Sequence, residues 1–132
     1  MSKRFVVSSG FFFLSVIALI AMTASPASAV KEFRDAFKSK YVKPDSTAAN
    51  DVALAAAVDQ TSCGICHVGE NRKIRNDYGK QLAKIISKKD KKNKDKIYKA
   101  MDTVAKMKSK PTDPKSPTFG DKIAKGKLPA QN

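Results

Sequence analysis

Both cysteines and the only histidine of this 132-residue chain stand within five consecutive positions, Cys63-Gly64-Ile65-Cys66-His67. This C-x-x-C-H spacing is the signature of covalent haem attachment. Two thiols at this separation can form thioethers to the two vinyl groups of a haem, and the adjacent imidazole can bind the iron from one side. The pattern therefore predicts one covalent haem c on Cys63 and Cys66, with His67 as the proximal iron ligand.

Two other chemistries use cysteines at this spacing. A thioredoxin-like pair exchanges disulfides, but that motif accompanies a βαβ pattern, and no run of β-branched residues typical of a strand follows residue 29. A structural zinc site takes four Cys or His ligands, whereas this chain holds three. A disulfide between Cys63 and Cys66 would close too small a loop to stabilise the fold much. Thiol–disulfide exchange stays as an alternative to haem binding.

Residues 1–29 have the layout of a secretory signal peptide. Lys3 and Arg4 precede an apolar run over residues 5–22, and Ala27-Ser28-Ala29 forms an A-x-A cleavage site. Ser and Gly residues shorten the strongly apolar part to about a dozen residues, whereas a membrane-spanning helix needs ~20. We expect cleavage after Ala29, export to the periplasm or another compartment outside the cytoplasm, and one haem-binding domain over residues 30–132.

Apolar periodicity predicts four helices in the mature chain. The first ends before Pro44, since the residue preceding a proline is disfavoured in a helix. One face of it carries three aromatic residues: Phe33, Phe37 and Tyr41. The second covers residues 50–60 with Asn50 or Asp51 as N-cap, and it leads into the haem motif. Its apolar positions are Val52, Leu54, Ala55 and Val58.

Beyond the haem motif, Gly69 and the polar residues 70–73 predict a loop. The third helix is predicted from five apolar positions: Ile74, Tyr78, Leu82, Ile85 and Ile86. Gly79 within it would permit close approach to the haem edge or to a neighbouring helix. A lysine-rich connection and a fourth helix over residues 94–110 follow, and the Pro- and Lys-rich tail is predicted to be extended. Its expected anchors are Phe119, Ile123 and Leu128.

Together these elements predict an all-α fold, with about four short helices around one covalently bound haem and an extended C-terminal tail. A mature chain of 103 residues, 132 minus 29, has a thin hydrophobic core. A buried haem is a large apolar plate around which short helices can pack. The cofactor is therefore expected to be part of what holds the domain together.

With the motif placed between helices of an exported chain, the sequence resembles the small monohaem c-type cytochromes. It is most similar to a bacterial group in which CxxCHVG is followed by RNxYG and by an SPTFGD…GKLP tail. Here these segments are residues 63–69, 75–79 and 116–129. The resemblance implies a monohaem cytochrome c domain over residues 30–132 that transfers electrons rather than acting as an enzyme. Better-known small cytochromes c carry a proline shortly after the motif, and no proline occurs in residues 68–79.

The sixth iron ligand is the open question at this site. With one histidine in the chain, bis-His ligation within the chain is impossible. Met107 and Met101 are the two methionines of the mature chain and are the candidate distal ligands, although a methionine at helical spacing also serves as core filler. An open sixth position would instead favour a ligand sensor or a weak peroxidase. Candidate contacts to the haem propionates are Arg72, Arg75 and Tyr78, against which surface charge and core packing are the competing interpretations.

Charge predicts the class of partner. After loss of Lys3 and Arg4 the chain has 24 basic and 12 acidic residues, a net charge of +12. Such a field speeds encounter with acidic redox proteins, or with an anionic membrane surface. Nucleic acid would also attract this charge, but the predicted export argues against it as a partner.

Overall fold

The computed structural model describes residues 31–69 and 71–131. The predicted signal peptide, residues 1–29, lies outside the described residues. Within them the chain forms α1 (Lys31–Tyr41), α2 (Ala49–Thr61), a hairpin of β1 (His67–Val68) and β2 (Asn71–Arg75), α3 (Asp77–Ile85), a 3₁₀ turn (Lys88–Asp90), α4 (Lys94–Ala105) and α5 (Phe119–Ala124). The predicted helical class is thus confirmed, with a small two-stranded sheet added. No helix in this part of the chain is both long and apolar enough to cross a bilayer.

Helix α4 lies at the centre of the fold and packs against α1, α3 and α5. Asn93 begins it, because its side chain accepts a hydrogen bond from the Lys96 N–H at 3.0 Å. Four side chains of one face are buried: Ile97, Ala100, Met101 and Val104. This apolar face is turned to the core, and the lysines of α4 are exposed to solvent.

A row of aromatic rings joins three helices through the core. The rings of Phe37 and Tyr78 are 6.0 Å apart, and those of Tyr78 and Phe119 are 5.4 Å apart, both edge to face. Tyr41 packs on Phe37 with ring centroids 4.9 Å apart. Since aromatic pairs of this geometry stabilise beyond their buried area, the row fixes α1, α3 and α5 relative to one another.

Helix α1 is also held by ion pairs to its neighbours. The Lys38 ammonium lies 2.6 Å from the Asp59 carboxylate on α2, and the Lys40 ammonium lies 2.8 Å from Asp102 on α4. Exposed pairs of this kind contribute little stability each. Both pairs join α1 to a neighbouring helix without adding much to the stability of the fold.

Strands β1 and β2 form an antiparallel hairpin in which His67 pairs with Arg75 and Val68 with Asn71. The loop predicted at residues 71–73 and the helical start predicted at Ile74 are therefore wrong, and residue 70 lies outside the described residues. Ile74 lies in β2 and is 52% exposed, and α3 begins three residues later. Tyr78, Leu82 and Ile86 are buried as predicted, whereas Ile85 is exposed.

Helix α2 begins earlier than its predicted cap. Ala48 is the N-cap residue, and Asn50 and Asp51 lie inside the first turn. Asp51 instead accepts a hydrogen bond from the Ser46 hydroxyl at 2.7 Å. Leu54 and Val58 are buried as predicted, but Val52 is 53% exposed.

The C-terminal segment is more structured than the extended tail that was predicted. Helix α4 ends at Ala105 rather than near residue 110, because the chain turns to pair with the tail: the Phe119 N–H donates to the Met107 carbonyl at 3.0 Å. Helix α5 follows, begun by a capping box in which Thr118 and Asp121 bond each other's backbone N–H. The predicted anchors of this segment are buried: Phe119, Ile123 and Leu128.

Candidate functional site

The Cys63–His67 segment is a tight turn directly after α2. The Cys63 carbonyl accepts hydrogen bonds from the N–H of Cys66 at 3.2 Å and of His67 at 3.0 Å. A Cβ at Gly64 would lie 2.3 Å from the Thr61 methyl, so the turn can pack onto the end of α2 because that position is glycine. The turn therefore brings both thiols and the imidazole into one short stretch of irregular backbone.

A cavity of about 240 Å³ opens beside this turn, and α1 forms its other wall. Its apolar side chains are Phe33 and Ile65, and its basic ones are Lys31, Arg34 and Arg72. The three residues of the motif complete the lining: Cys63, Cys66 and His67. A second cavity of about 420 Å³ adjoins it, because both are lined by Ser62, Cys63 and Arg72. The turn thus faces space on more than one side.

Burial sets the chemistry of the motif side chains. Cys63 and Cys66 are free thiols. Burial raises the pKa of Cys66 to about 12, although the Arg75 charge opposes that rise, so this group stays protonated at neutral pH. The Nδ1 atom of His67 is buried and has no hydrogen-bond partner among the described residues. Buried imidazole nitrogens are normally paired, so this histidine has unused binding capacity.

Asn76 connects the motif turn to α3 by hydrogen bonds to both. Its side-chain nitrogen lies 3.0 Å from the Gly64 carbonyl and 3.2 Å from the carbonyls of Ile65 and His67. Its side-chain oxygen accepts from the Gly79 N–H at 2.9 Å and so caps α3. The RNxYG segment predicted no role for Asn76; an Asn at the start of a helix was the signal available in the sequence.

Gly79 lies against the motif backbone. A Cβ at this position would lie 2.0 Å from the Cys66 carbonyl oxygen. Gly79 therefore makes a close approach, but to the peptide of Cys66 rather than to a neighbouring helix, and the predicted approach to a haem edge stays a prediction. Helix α3 consequently rests directly on the turn that carries the two thiols and the imidazole.

The structure places the candidate distal ligands away from this cavity. Met101 is buried in the core on the same face of α4 as Ile97 and Val104. Met107 is half-buried just beyond the end of α4, and neither methionine lines the cavity beside His67. Distal ligation by either one therefore stays a prediction.

The three candidate propionate contacts occupy different environments. Arg72 lines the cavity, whereas Arg75 is exposed on β2. Tyr78 is fully buried between Phe37 and Phe119, and its hydroxyl has no hydrogen-bond partner in the described part of the chain. Burial places the pKa of Tyr78 well above its ordinary value. Tyr78 thus belongs to the core of the domain.

The residues around the cavity fit a haem c. They supply two free thiols, an imidazole with an unpaired buried nitrogen, apolar side chains for a macrocycle and cationic side chains for its carboxylates. In residues 31–69 and 71–131, no three His, Cys, Asp or Glu side chains form a cluster for a bare metal ion. Comparisons of the chain with protein-family models, with curated proteins and with solved structures found no match. The site is therefore interpreted from its own residues.

Proposed function

We propose that this protein is an exported electron carrier that uses one haem c, joined to Cys63 and Cys66 and bound through its iron by His67. The observation that carries the proposal is the cavity beside the C-x-x-C-H turn, where both thiols and the imidazole share a lining with apolar and cationic side chains. A haem c supplies one-electron chemistry by cycling between ferric and ferrous iron. No substrate bond is made or broken, so the protein is not proposed as an enzyme.

The side chains around the turn have separate tasks in this proposal. Phe33 and Ile65 exclude water from the cavity. Fewer solvent molecules then have to rearrange when the charge of the haem changes on electron transfer. Lys31, Arg34 and Arg72 provide positive charge for the two haem carboxylates. The protein thereby balances the charge of its cofactor with groups from α1 and the hairpin.

The hairpin is the proposed docking surface for a redox partner. All five residues of β2 are exposed, and three of them are cationic: Arg72, Lys73 and Arg75. Val68 and Ile74 add exposed apolar surface at 53% and 52%. Because the hairpin begins at His67 itself, a partner bound there would lie next to the site. An acidic redox protein fits this surface by charge, and an anionic membrane surface would compete for it; nucleic acid is not proposed, given the predicted export.

A second function, reversible ligand binding at an open sixth position, is favoured by one observation. Neither Met101 nor Met107 lines the cavity, and the chain has no second histidine. A sensor or a weak peroxidase would use such an open position. A peroxidase ordinarily needs a distal acid–base residue, and the single histidine is already assigned to the proximal side.

The test is production of the full chain in a host that matures c-type haem, followed by mass spectrometry under reducing and denaturing conditions. We expect haem to remain attached to wild type and to the matched control Ser62→Ala, and to be absent from Cys63→Ser/Cys66→Ser. Wild-type protein without haem would reject the proposal and return the motif to thiol–disulfide chemistry.

The visible spectrum then separates the two haem functions. A sharp reduced α-band that carbon monoxide leaves unchanged indicates a six-coordinate electron carrier, and Met101→Leu and Met107→Leu would identify the ligand. A high-spin spectrum that carbon monoxide shifts indicates an open position and the sensor or peroxidase function. The two results exclude each other for the ferrous protein.

A further inference from the structure

Four consecutive carbonyl groups of the motif turn are bonded to a single residue. The Asn76 side-chain nitrogen lies 3.0, 3.2 and 3.2 Å from the carbonyls of Gly64, Ile65 and His67, so its two N–H donors serve three acceptors and one of them is shared. The Asn76 backbone N–H donates to the remaining one, that of Cys66, at 3.0 Å. Residues 64–66 lie between α2 and β1, outside both, so their carbonyls need partners from elsewhere in the chain.

Asn76 is itself fixed to the rest of the fold. Its side-chain oxygen accepts from the Gly79 N–H, and its backbone carbonyl accepts from the Lys80 N–H at 2.8 Å. Two residues on, Tyr78 is fully buried among the core aromatic rings. The carbonyls of the turn are therefore tied, through one residue, to the start of α3.

The His67 ring has no such support of its own. A metal-binding histidine usually donates its other ring N–H to a carbonyl or carboxylate, which fixes the orientation of the ring. The buried Nδ1 atom of His67 has no hydrogen-bond partner within the described ranges. Residues 68–79 also lack the proline that follows the motif in better-known small cytochromes c. Among the described residues, the hydrogen bonds that hold this histidine are those of its backbone, and Asn76 bonds that backbone directly.

We propose that Asn76 is the positioning residue for His67. It holds the motif turn in the conformation in which the imidazole lines the cavity proposed to bind the haem. This inference rests on the proposed haem function. Asn76 acts through the peptide groups of residues 64–67 and does not itself contact the reacting group. It combines two tasks, capping α3 and ordering the turn, and these tasks use different atoms of one amide.

The two tasks can be separated by Asn76→Asp. The carboxylate keeps the oxygen that caps α3, but it loses the N–H donors and places negative charge near three carbonyl oxygens. Asn93→Asp is the matched control, because Asn93 caps α4 through the same kind of bond at 3.0 Å and lies far along the chain from the motif. Both proteins are produced with haem, and guanidinium unfolding is followed by the haem absorption of the His67-bound state and by far-ultraviolet circular dichroism. The reduction potential is measured as well.

In Asn76→Asp we expect His67 to detach from the haem iron before the helices unfold. At equal denaturant the population with detached His67 should be about tenfold larger than in wild type, which is the size of effect seen for outer-shell partners of metal ligands. Its reduction potential is expected to differ from wild type. In Asn93→Asp the absorption and dichroism transitions should coincide, at the wild-type potential. If Asn76→Asp does not fold, Asn76→Ser, which retains a capping oxygen, is compared in its place.

The outcomes distinguish the inference from the function beneath it. Wild-type protein with haem, alongside an Asn76 variant whose transitions and potential match those of Asn93→Asp, would overturn the positioning role and leave electron transfer in place. Wild-type protein that acquires no haem would remove the proposed function, and the inference with it. Early loss of His67 confined to the Asn76 variant supports both.

Discussion

Substitution of Gly79 by alanine tests whether α3 rests on the motif turn as closely as the structure has it. The added Cβ would lie 2.0 Å from the oxygen, 2.9 Å from the carbon and 3.1 Å from the Cα of Cys66. These are backbone atoms, so no side chain can rotate out of the way. Either α3 or the turn must move, and the Asn76 N–H bond to the same carbonyl lies in the path of that movement.

The size of the effect follows from opposing contributions. Alanine is favoured over glycine in a helix by ~1 kcal/mol. Overpacking of a tight contact costs about 1–3 kcal/mol, and a clash this short with backbone belongs at the upper end of that range. Weakening the hydrogen bond to the Cys66 carbonyl adds ~1 kcal/mol. The net loss is about 2–3 kcal/mol, which for a domain of this size lowers Tm by about 10–20 °C.

The assay is equilibrium unfolding of the haem-containing protein, with Ala83→Gly as the control in the same helix. Ala83 is exposed, so its replacement measures helix preference alone and should cost ~1 kcal/mol. Gly79→Ala should lower the free energy of unfolding by more than this control does, and it should also perturb the visible spectrum. A Gly79→Ala protein at least as stable as wild type would refute the close contact between α3 and Cys66.

Three further predictions concern pH, the C-terminal helix and the docking surface. Burial raises the Tyr41 pKa to about 12 from an ordinary 10.0, so the unfolded chain ionises first and stability should fall as pH rises through this interval; Tyr41→Phe should weaken that fall in alkaline thermal melts. Thr118→Ala removes the acceptor for the Asp121 N–H and should cost ~1 kcal/mol in denaturant unfolding; an unchanged midpoint would exclude the capping box as a source of stability. Replacing Lys73 and Arg75, the two β2 cations outside the cavity lining, with Gln should slow electron transfer to an acidic protein about tenfold at low salt, and a rate that ionic strength and these changes leave unaltered would contradict the docking surface.

The apolar periodicity of the sequence was sufficient to predict the long helices. Helices α1, α2 and α4 coincide with apolar stripes, and α4 begins at the predicted residue, whereas the N-cap of α2 lies two or three residues before the predicted one. The end of α4 could not be read in the same way. Its last predicted turn is consistent with a helix locally, and it is replaced because residues 107–109 pair with residues 117–119, which are distant in sequence.

The hairpin and α5 were missed for different reasons. Ile74 stands four residues before Tyr78, so it matches a helical stripe, while β2 is exposed throughout and has no alternating pattern. Its formation depends on backbone pairing with the residues after His67. Helix α5 has six residues, too few for a periodic signal, although the capping box of Thr118 and Asp121 was visible in the sequence.

The chemistry of the candidate site could be proposed from the sequence because its three reactive residues lie within five consecutive positions. The surroundings were not, since Phe33 and Arg34 reach the cavity from a helix some thirty residues earlier in the chain. Asn76 was equally out of reach: its position predicts a helix cap, but only the fold reveals that the same amide also bonds three carbonyls of the motif.

The aromatic row gives this protein an intrinsic fluorescence reporter. The chain has no tryptophan and three tyrosines, so its ultraviolet emission comes from Tyr41, Tyr78 and Tyr98. Two of these rings flank Phe37 within the core, and Tyr78 belongs to the same α3 that rests on the motif turn. Emission therefore samples the packing of α1 against α3, and a haem in the neighbouring cavity would quench it by energy transfer. The recovery of tyrosine fluorescence during unfolding would thus measure separation of the core from the cofactor in a single signal, without any label.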